Sequence, residues 1–264
     1  MANRLQNKVV VVTGAAQGIG FGCARLAASE AASVVLADIQ DPSGEQAAES
    51  IRKEGGHAFF CHADVTSEAQ CAALMDFAVR SFGRLDGLVN NAGWFPRATL
   101  ESTTTELWDR VLNVNLRSAF YCCKFAAPHM RKAKSGSIVN MGSINGIQGL
   151  PNLVAYAAAK GGMLSLTRTL AGALATDRIR VNYVIPGWVL TEGEIALQEK
   201  QGLSGQELLK LGEKLALGRH QTALDVAYAV VYLLSDESAQ VTGSIFNVDA
   251  GSSTLPIPPD RYPG

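Results

Sequence analysis

Short apolar segments rich in β-branched residues alternate along the chain with longer segments in which apolar residues recur at helical spacing. Most of the short segments are continuous apolar runs, which is typical of parallel strands buried on both faces. Seven of them predict β-strands: residues 9–13, 34–37, 58–62, 87–90, 137–141, 180–185 and 244–248. The longer segments predict helices over residues 19–30, from 43 onward, and over 67–82, 103–130, 155–175 and 225–234.

Three of these helices begin with a capping signature, in which Ser or Thr precedes Gln or Glu by three residues. The pairs are Ser43 with Gln46, Ser67 with Gln70, and Thr103 with Glu106. The alternation of strands and helices predicts an α/β fold, a Rossmann-type doubly wound sheet of seven mostly parallel strands with helices on both faces. In such folds, ligands bind at the carboxyl ends of the strands.

The 264 residues, 47% of them apolar, suit a single dinucleotide-binding and catalytic domain over residues 1–264. Two segments stand outside the alternation. Residues 190–220 are polar and helical with no strand between, and we expect them to form a lid over the substrate site. Residues 252–264 form a proline-rich tail that cannot continue the sheet. This tail is expected either to reach a neighbouring subunit or to be mobile.

Charge and composition exclude several classes of partner. The net charge is −1 with both signs mixed along the chain, so no basic surface for nucleic acid is expected. No apolar run approaches the roughly 20 residues that span a bilayer. Five scattered cysteines without a CxxC pair, and an N-terminus without an apolar signal core, favour a cytoplasmic protein with reduced thiols. The four histidines lack metal-ligand spacing, so no metal is expected.

A glycine-rich segment, Thr13-Gly14-Ala15-Ala16-Gln17-Gly18-Ile19-Gly20, follows the first strand. Glycine there lets the backbone approach a pyrophosphate at the amino end of the next helix. The spacing is GxxxGxG, and a lone glycine cluster would be weak evidence because turns also need glycine. Its position after the first strand is what indicates a dinucleotide site.

Asp38 ends the second strand, where an acid accepts hydrogen bonds from the adenine ribose 2′-hydroxyl and repels a 2′-phosphate. Ile39 follows it, and the glycine loop carries no cation at residues 15–17. We therefore predict NAD as the cofactor in preference to NADP. The alternative is that Asp38 only starts a turn before Pro42.

Tyr156 and Lys160 lie four residues apart and share one face of a predicted helix. A free tyrosine has a pKa of about 10, and a nearby ammonium favours the phenolate. Tyr156 could then exchange a proton with an alcohol, and Ser143 could bind the same oxygen. Asn115 lies inside an apolar helix, where burial of a polar side chain costs free energy unless it is hydrogen-bonded. Each of these residues also has a simpler interpretation. Lys160 could be a solvated surface lysine, Ser143 a turn residue, and Asn115 a helix residue bonded to a backbone carbonyl.

With these residues in order, residues 5–251 resemble the short-chain dehydrogenase/reductase family. The motifs are TGAAQGIG at 13–20, Asp64-Val65, Asn90-Asn91-Ala92-Gly93, Asn115, Ser143, Tyr156-x-x-x-Lys160 and Pro186-Gly187. The resemblance implies an NAD-dependent oxidoreductase acting on CH–OH groups. It makes Asn115, Ser143, Tyr156 and Lys160 the catalytic residues, with Asn115 holding a water that links Lys160 to solvent.

The resemblance also implies the cofactor-binding residues. They are Gly14, Gln17, Gly18, Ile19, Gly20, Asp38, Ile39, Asp64, Val65, Asn91, Ala92, Gly93, Tyr156, Lys160, Pro186, Gly187, Val189 and Thr191. A homotetramer is common in the family, and the apolar residues 120–127 suit either a subunit interface or the core. The chain departs from the family at Glu30-Ala31-Ala32, where a glycine is usual, which should alter that turn. The bulky Trp188 after Pro186-Gly187 bears on the pocket.

The substrate is predicted from loop residues expected near the reactive carbon. They are Ser143, Trp94, Asn145, Gln148, Trp188 and Glu192, with Asn152 and His220 as further candidates. Aromatic faces with amide and carboxylate partners suit a sugar or polyol, although surface loops are polar in any case. A cyclic or aromatic secondary alcohol and a 3-oxoacyl thioester are the alternatives. A non-catalytic NAD-sensing protein is the alternative of another class.

Overall fold

The computed structural model describes residues 3–200 and 202–253, and these residues form a sheet of seven strands. The strands are β1 (Val9–Thr13), β2 (Ser33–Asp38), β3 (His57–His62), β4 (Gly87–Asn90), β5 (Gly136–Met141), β6 (Ile179–Pro186) and β7 (Ile245–Val248). Their order is β3-β2-β1-β4-β5-β6-β7, and all neighbours are parallel. The predicted fold class is confirmed.

Nine α-helices lie in the described part of the chain. They are α1 (Gly18–Ser29), α2 (Asp41–Lys53), α3 (Glu68–Phe82), α4 (Thr105–Leu112), α5 (Ser118–Ala133), α6 (Val154–Leu174), α7 (Glu192–Lys200), α8 (Gly205–Glu213) and α9 (Ala223–Leu234). Among residues 3–200 and 202–253, no helix combines the length and apolarity needed to cross a membrane.

Alternate side chains of the sheet enter two hydrophobic cores, one on each face. Val10 and Val12 of β1 pack with α1 and α9, whereas Val9 and Val11 pack with α3 and α5. This two-sided burial explains the continuous apolar runs in the sequence. The strand order reverses between β1 and β4, since Val11 pairs with both Val35 of β2 and Leu88 of β4. Open parallel sheets bind their ligands at such a switch point.

One predicted helix cap is observed and two are wrong. Ser67 caps α3, accepting a hydrogen bond from the Gln70 N–H at 3.4 Å. Ser43 does not cap α2, because that helix already begins at Asp41 with Pro42 in its first turn, a position that the fixed φ of proline favours.

The cap of α4 is Thr104, whose hydroxyl accepts from the Leu107 N–H at 3.2 Å. Thr103 was the predicted cap, but its hydroxyl donates backwards to the Thr99 carbonyl. The long helix predicted over 103–130 is observed as a continuous helical segment from Thr105 to Ala133. A wider π-helical turn over Asn113–Arg117 separates α4 from α5, and such turns often mark functional sites.

The turn between α1 and β2 shows the effect of the missing glycine. Ala31 has φ +69°, in the left-handed region that favours glycine. Its N–H still bonds to the Ala28 carbonyl at 3.0 Å. This turn therefore contains an alanine whose backbone is strained by its left-handed conformation.

The described residues of the segment 190–220 contain α7 and α8 and no strand, as the sequence predicts. The capping box of α9 pairs Thr222 with Asp225, so this helix begins two residues before the prediction. Residues 254–264 of the predicted tail lie outside the described residues.

Candidate active site

The glycine loop passes close beneath the loop that follows β4. Gly14 has φ +63°, and a Cβ there would lie 2.8 Å from the Ala92 Cα. A Cβ on Gly20 would overlap the Gly14 carbonyl. The first turn of α1 contains no acid, and Gln17 at its start makes no side-chain cap, so its N–H groups suit an anion. This cradle fits the pyrophosphate of a dinucleotide.

Asn91 ties the two loops together. Its Nδ2 donates to the carbonyl oxygens of Thr13 and Gly14, both at 3.0 Å. In return, the Thr13 hydroxyl accepts from the N–H groups of Asn91 and Ala92 at 3.0 and 3.1 Å. A Cβ on Gly93 would lie 3.0 Å from the Asn115 Oδ1. These residues therefore fix the shape of the cofactor cradle.

Asp38 reaches across the same edge of the sheet. Its Oδ2 accepts from the Ala16 N–H at 3.0 Å, and its Oδ1 accepts from the N–H groups of Ile39 and Gln40 at 2.8 and 3.1 Å. The side chain thus makes the local turn that the alternative interpretation expected and also holds the glycine loop. Ile39 beside it is 61% exposed and presents an apolar surface.

The remaining predicted cofactor residues also lie at the carboxyl ends of strands. Asp64 and Val65 follow β3, where Gln70 accepts from the Asp64 N–H at 2.8 Å. Pro186 ends β6 and leads into the loop of Gly187 and Val189. The Thr191 methyl group would lie 3.4 Å from a Cβ on Gly18, so this loop reaches the glycine loop. The structure therefore brings the predicted cofactor residues to one edge.

Tyr156 and Lys160 occupy the first turns of α6, with the Lys160 Nζ 5.6 Å from the Tyr156 ring centroid. Lys160 is 2% exposed, and its Nζ donates to the Met141 carbonyl at the end of β5 at 2.7 Å. Burial lowers the pKa of Lys160 to about 8. A buried amine that titrates near neutral pH is able to pass a proton.

The Tyr156 hydroxyl is strongly desolvated. Burial raises the pKa of Tyr156 to about 12, against the opposing effects of a Ser143 hydrogen bond and the Arg97 charge. The lowering expected from the Lys160 ammonium is not among these effects, since that ammonium is directed to Met141. Ser143 itself starts a short 3₁₀ turn, and its Oγ accepts from the Asn145 N–H at 3.1 Å.

Asn115 is fully buried in the π-helical turn. Its Nδ2 donates to the carbonyls of Trp94 and Val111 at 2.7 and 2.9 Å, and its Oδ1 accepts from the Trp94 N–H at 3.2 Å. The backbone-carbonyl alternative is therefore observed, and Asn115 fixes the loop after β4. Its part in a proton relay stays a prediction.

The structure places the predicted substrate residues in different surroundings. Trp188 packs edge-on against His220 with centroids 4.5 Å apart, and its Nε1 donates to Glu194 at 2.9 Å. Its indole N–H is therefore already bonded. The Arg110 guanidinium lies 4.5 Å from the Trp94 ring centroid.

The amide and acid candidates are largely at the surface. Glu192 and Gln148 are exposed, and the Gln148 amide donates to the Ser252 carbonyl at 3.4 Å. Asn152 is exposed as well, and its carbonyl accepts from the Ala98 N–H at 2.8 Å. Asn145 donates its N–H to the Ser143 Oγ, and the Gln148 N–H donates to the Ile144 carbonyl of the same turn at 3.0 Å.

Phe95 is a site residue that the sequence did not reveal. Its ring lies 5.8 Å from the Tyr156 ring, and its side chain is 41% exposed. Ile147 and Leu150, in the segment between Ser143 and α6, are also exposed apolar residues. Because an aromatic residue two positions after a glycine motif is common in any loop, no sequence pattern distinguishes Phe95.

Gln221 was also missed, although it is buried. Its Oε1 accepts from the Gly187 N–H at 2.7 Å, and its Nε2 donates to the Val248 carbonyl at 2.6 Å. This amide clamps the loop after β6 to β7. Tyr183 has a similar bracing role, since its hydroxyl donates to the Lys160 carbonyl at 2.8 Å.

Comparisons with known proteins agree with this geometry. The family model described as enoyl-(acyl carrier protein) reductase matches residues 14–253. A cyclopentanol dehydrogenase of Comamonas sp. (strain NCIMB 9872) is 40% identical over 250 residues, covering 94% of this chain and 98% of its own. A Rhizobium meliloti (strain 1021) protein described as "Probable galactose dehydrogenase GalD" is 37% identical over 248 residues, covering 94% and 95%.

A solved structure is also similar over the whole sheet. The crystal structure of levodione reductase matches with a TM-score of 0.89 and 29% identity, covering 96% of this chain and 100% of that one. The matched region contains the glycine loop, Asn115, Ser143, Tyr156 and Lys160. The chain therefore belongs to the short-chain dehydrogenase/reductase family, whose dehydrogenases use NAD(P).

Proposed function

We propose that this protein is an NAD-dependent dehydrogenase that interconverts a cyclic secondary alcohol and its ketone. The observation that carries the proposal is the setting of Tyr156, which lies between a buried lysine, the Ser143 side chain and the exposed ring of Phe95. Such a site combines acid–base chemistry with an apolar contact for the body of the substrate.

The preference for NAD is supported by the end of β2. Asp38 offers a carboxylate beside the glycine loop, and no Lys or Arg of the described residues is paired with it. A 2′-phosphate would meet this negative charge without a compensating cation. Bound NAD supplies the hydride acceptor for oxidation of the alcohol carbon.

The residues of this chain handle the proton. Ser143 and Tyr156 would hold the substrate oxygen, and Tyr156 takes the alcohol proton during oxidation or returns it during reduction. The high pKa of Tyr156 disfavours its phenolate, and the hydrogen bond with Ser143 and the charge of Arg97 oppose that effect. Lys160, with its pKa near neutral pH, is suited to carry that proton onward.

Apolar side chains support the cyclic alcohol. Phe95 contacts Tyr156, and Ile147 and Leu150 expose large apolar surfaces in the segment after Ser143. Two of the similar proteins are named for cyclopentanol and levodione. The polar candidates of the sequence contribute less, because Trp188 is bonded to Glu194 and Gln148 to Ser252.

A sugar or polyol is the second candidate. The similarity to the protein described as a galactose dehydrogenase favours it, and so does Asn145 beside Ser143. Two further alternatives are a 3-oxoacyl thioester as substrate and a non-catalytic NAD-sensing function. The assay described next distinguishes both.

The test is NADH formation with a panel of cyclopentanol, cyclohexanol, galactose, an alditol and a 3-hydroxyacyl thioester. We expect turnover of the cyclic alcohols, with NAD preferred over NADP. Tyr156→Phe should lose at least about 10²-fold in turnover and still bind NADH. Turnover confined to galactose or the alditol would establish the second candidate. NADH binding without any turnover by the unmodified protein would indicate the sensing protein.

We also propose a cytoplasmic homotetramer, on the basis of the family. Phe120 is 45% exposed on α5, whereas Cys122, Cys123, Ala126 and Ala127 belong to the core. Phe120 is therefore the exposed apolar residue of this stretch, which also contains the exposed Lys124 and the partly buried Tyr121 and Phe125. Light scattering of the protein and of Phe120→Glu would test the assembly.

A further inference from the structure

The loop after β4 forms a short arch whose two ends are hydrogen-bonded to other parts of the protein. At one end, both backbone groups of Trp94 bond to the buried Asn115 side chain. At the other end, Ala98 pairs with Leu153, and its N–H donates to the Asn152 carbonyl at 2.8 Å. We call residues 95–97 between them the 95–97 arch. Its middle residue is Pro96, which restricts φ and stiffens the arch.

The 95–97 arch faces the catalytic tyrosine. The Phe95 ring lies against Tyr156, with centroids 5.8 Å apart. Arg97 ends the arch two residues later, and its positive charge acts on the Tyr156 hydroxyl. Arg97 therefore belongs to the short loop segment that contacts Tyr156 through Phe95.

Arg97 is exposed and makes no ion pair among the described residues. Glu101 is the acid nearest in sequence, and its carboxylate is hydrogen-bonded to the Thr99 side chain and to its own backbone. The other arginine at this loop, Arg110, is stacked on Trp94. Arg97 thus presents a fork of N–H donors, always charged, at a site built to hold a small molecule.

We propose that Arg97 binds an acidic group, a carboxylate or a group of like charge, carried by the substrate away from its reacting carbon. The inference rests on the function proposed above and narrows it to cyclic alcohols with an anionic substituent. Phe95 would contact the ring while Arg97 binds the acid. The Arg97 charge would also offset the anion, which would otherwise disfavour deprotonation of Tyr156.

The experiment compares two alcohols that differ only in charge, 3-hydroxycyclopentanecarboxylate and its carboxamide, each with saturating NAD. We expect kcat/KM of the unmodified enzyme to favour the carboxylate by about 10-fold or more, since hydrogen bonds to charged groups are the strong ones. Arg97→Gln should bring the ratio to about one through a higher KM for the carboxylate alone. Arg97→Lys should retain part of the preference.

Arg168→Gln is the matched control, because Arg168 is an exposed arginine on α6 without an ion pair in the described chain. It should leave the ratio unchanged. An unchanged ratio in Arg97→Gln would overturn the inference. So would an equal loss for both alcohols with a shifted pH profile of kcat, which would mean that Arg97 acts only on Tyr156.

A binding measurement separates this inference from the proposed function. Calorimetry with the unreactive cyclopentanecarboxylate and the NADH complex should give a dissociation constant about 10-fold weaker in Arg97→Gln. If no cyclic alcohol is oxidised but this difference is found, the substrate class is wrong and the anion site stands. Equal binding by both proteins would remove the anion site.

Discussion

The carboxylate of Asp38 accepts a hydrogen bond from the backbone N–H of Ala16 at 3.0 Å. One side chain thus joins the end of β2 to the glycine loop, so the residue that we propose to select NAD also shapes that loop. Changes at Asp38 should affect both properties together.

Asp38→Asn keeps the size of the side chain and removes its charge. We expect KM for NAD to rise by about 10-fold and the preference for NAD over NADP to shrink, because the charged acceptor is lost. Steady-state kinetics with both cofactors provide the measurement. Asp41→Asn removes an exposed acid three residues away and should change neither quantity. An unaltered cofactor ratio in Asp38→Asn would assign Asp38 to the turn alone.

The buried amine of Lys160 should make the free energy of unfolding depend on pH. Its pKa is lowered to about 8, below the ordinary value of 10.5 that applies in the unfolded chain. Between these values the unfolded state binds more protons, so stability contributed by Lys160 rises with pH over this window, by up to about 3 kcal/mol. Denaturant titrations of the apo protein from pH 7 to pH 10 would measure it.

Lys160→Met is the comparison protein, because methionine has a similar length and does not titrate. The difference between the two unfolding curves should show the rise, whereas the Met variant alone should not. Tyr156 acts in the opposite sense, since its raised pKa costs stability as the pH increases from about 10 to about 12. A difference curve that falls between pH 8 and pH 10 would contradict the lowered pKa of Lys160.

Replacing Ala31, whose backbone is left-handed, with glycine should stabilise the folded protein. Ala31→Gly should raise the free energy of unfolding by about 0.5–1 kcal/mol, since relief of left-handed strain exceeds the entropy that glycine adds to the unfolded chain. Ala73→Gly, at an exposed position inside α3, should lower it by about 1 kcal/mol. Urea unfolding of both variants tests the pair. Equal destabilisation would show that Ala31 is unstrained.

The Gln221 clamp should matter more for cofactor binding than for folding. Gln221→Leu removes the acceptor of the Gly187 N–H and the donor to Val248. Because Gly187 also donates to the Val248 carbonyl at 2.9 Å, the loop should loosen without unfolding. We expect KM for NAD to rise by about 5–10-fold. Gln240→Leu changes an exposed glutamine and should leave KM for NAD unchanged. An equal rise of KM in Gln240→Leu would show that Gln221 has no specific role in the loop.

The sequence predicted the sheet well because each strand is a continuous apolar run bounded by polar or small residues. Every predicted strand agrees with the observed one within one residue at each end. The motif residues Gly14, Ser143, Tyr156 and Lys160 could be predicted for a related reason, since their spacing along the chain is itself the signal, and their roles stay a prediction.

The missed features depend on contacts between distant segments. Gln221 contacts Gly187 across 34 residues of sequence, and Phe95 contacts Tyr156 from a loop whose Trp94 is bonded to Asn115. The cap of α4 was misassigned because adjacent threonines offer equivalent hydroxyls, and the backbone alone selects Thr104. The π-helical turn has no recognisable pattern in the sequence, and the buried Asn115 lies within it.

The packing of α1 against α9 on one face of the sheet has a consequence for synthesis on the ribosome. Residues 18–29 are made early, but their apolar partners lie in residues 223–234. Until that late segment emerges, Val10, Val12 and Leu36 have an incomplete cover. The opposite face is completed sooner, from α3, α5 and α6. The apolar core on this face is therefore complete only after residues 223–234 have been synthesised.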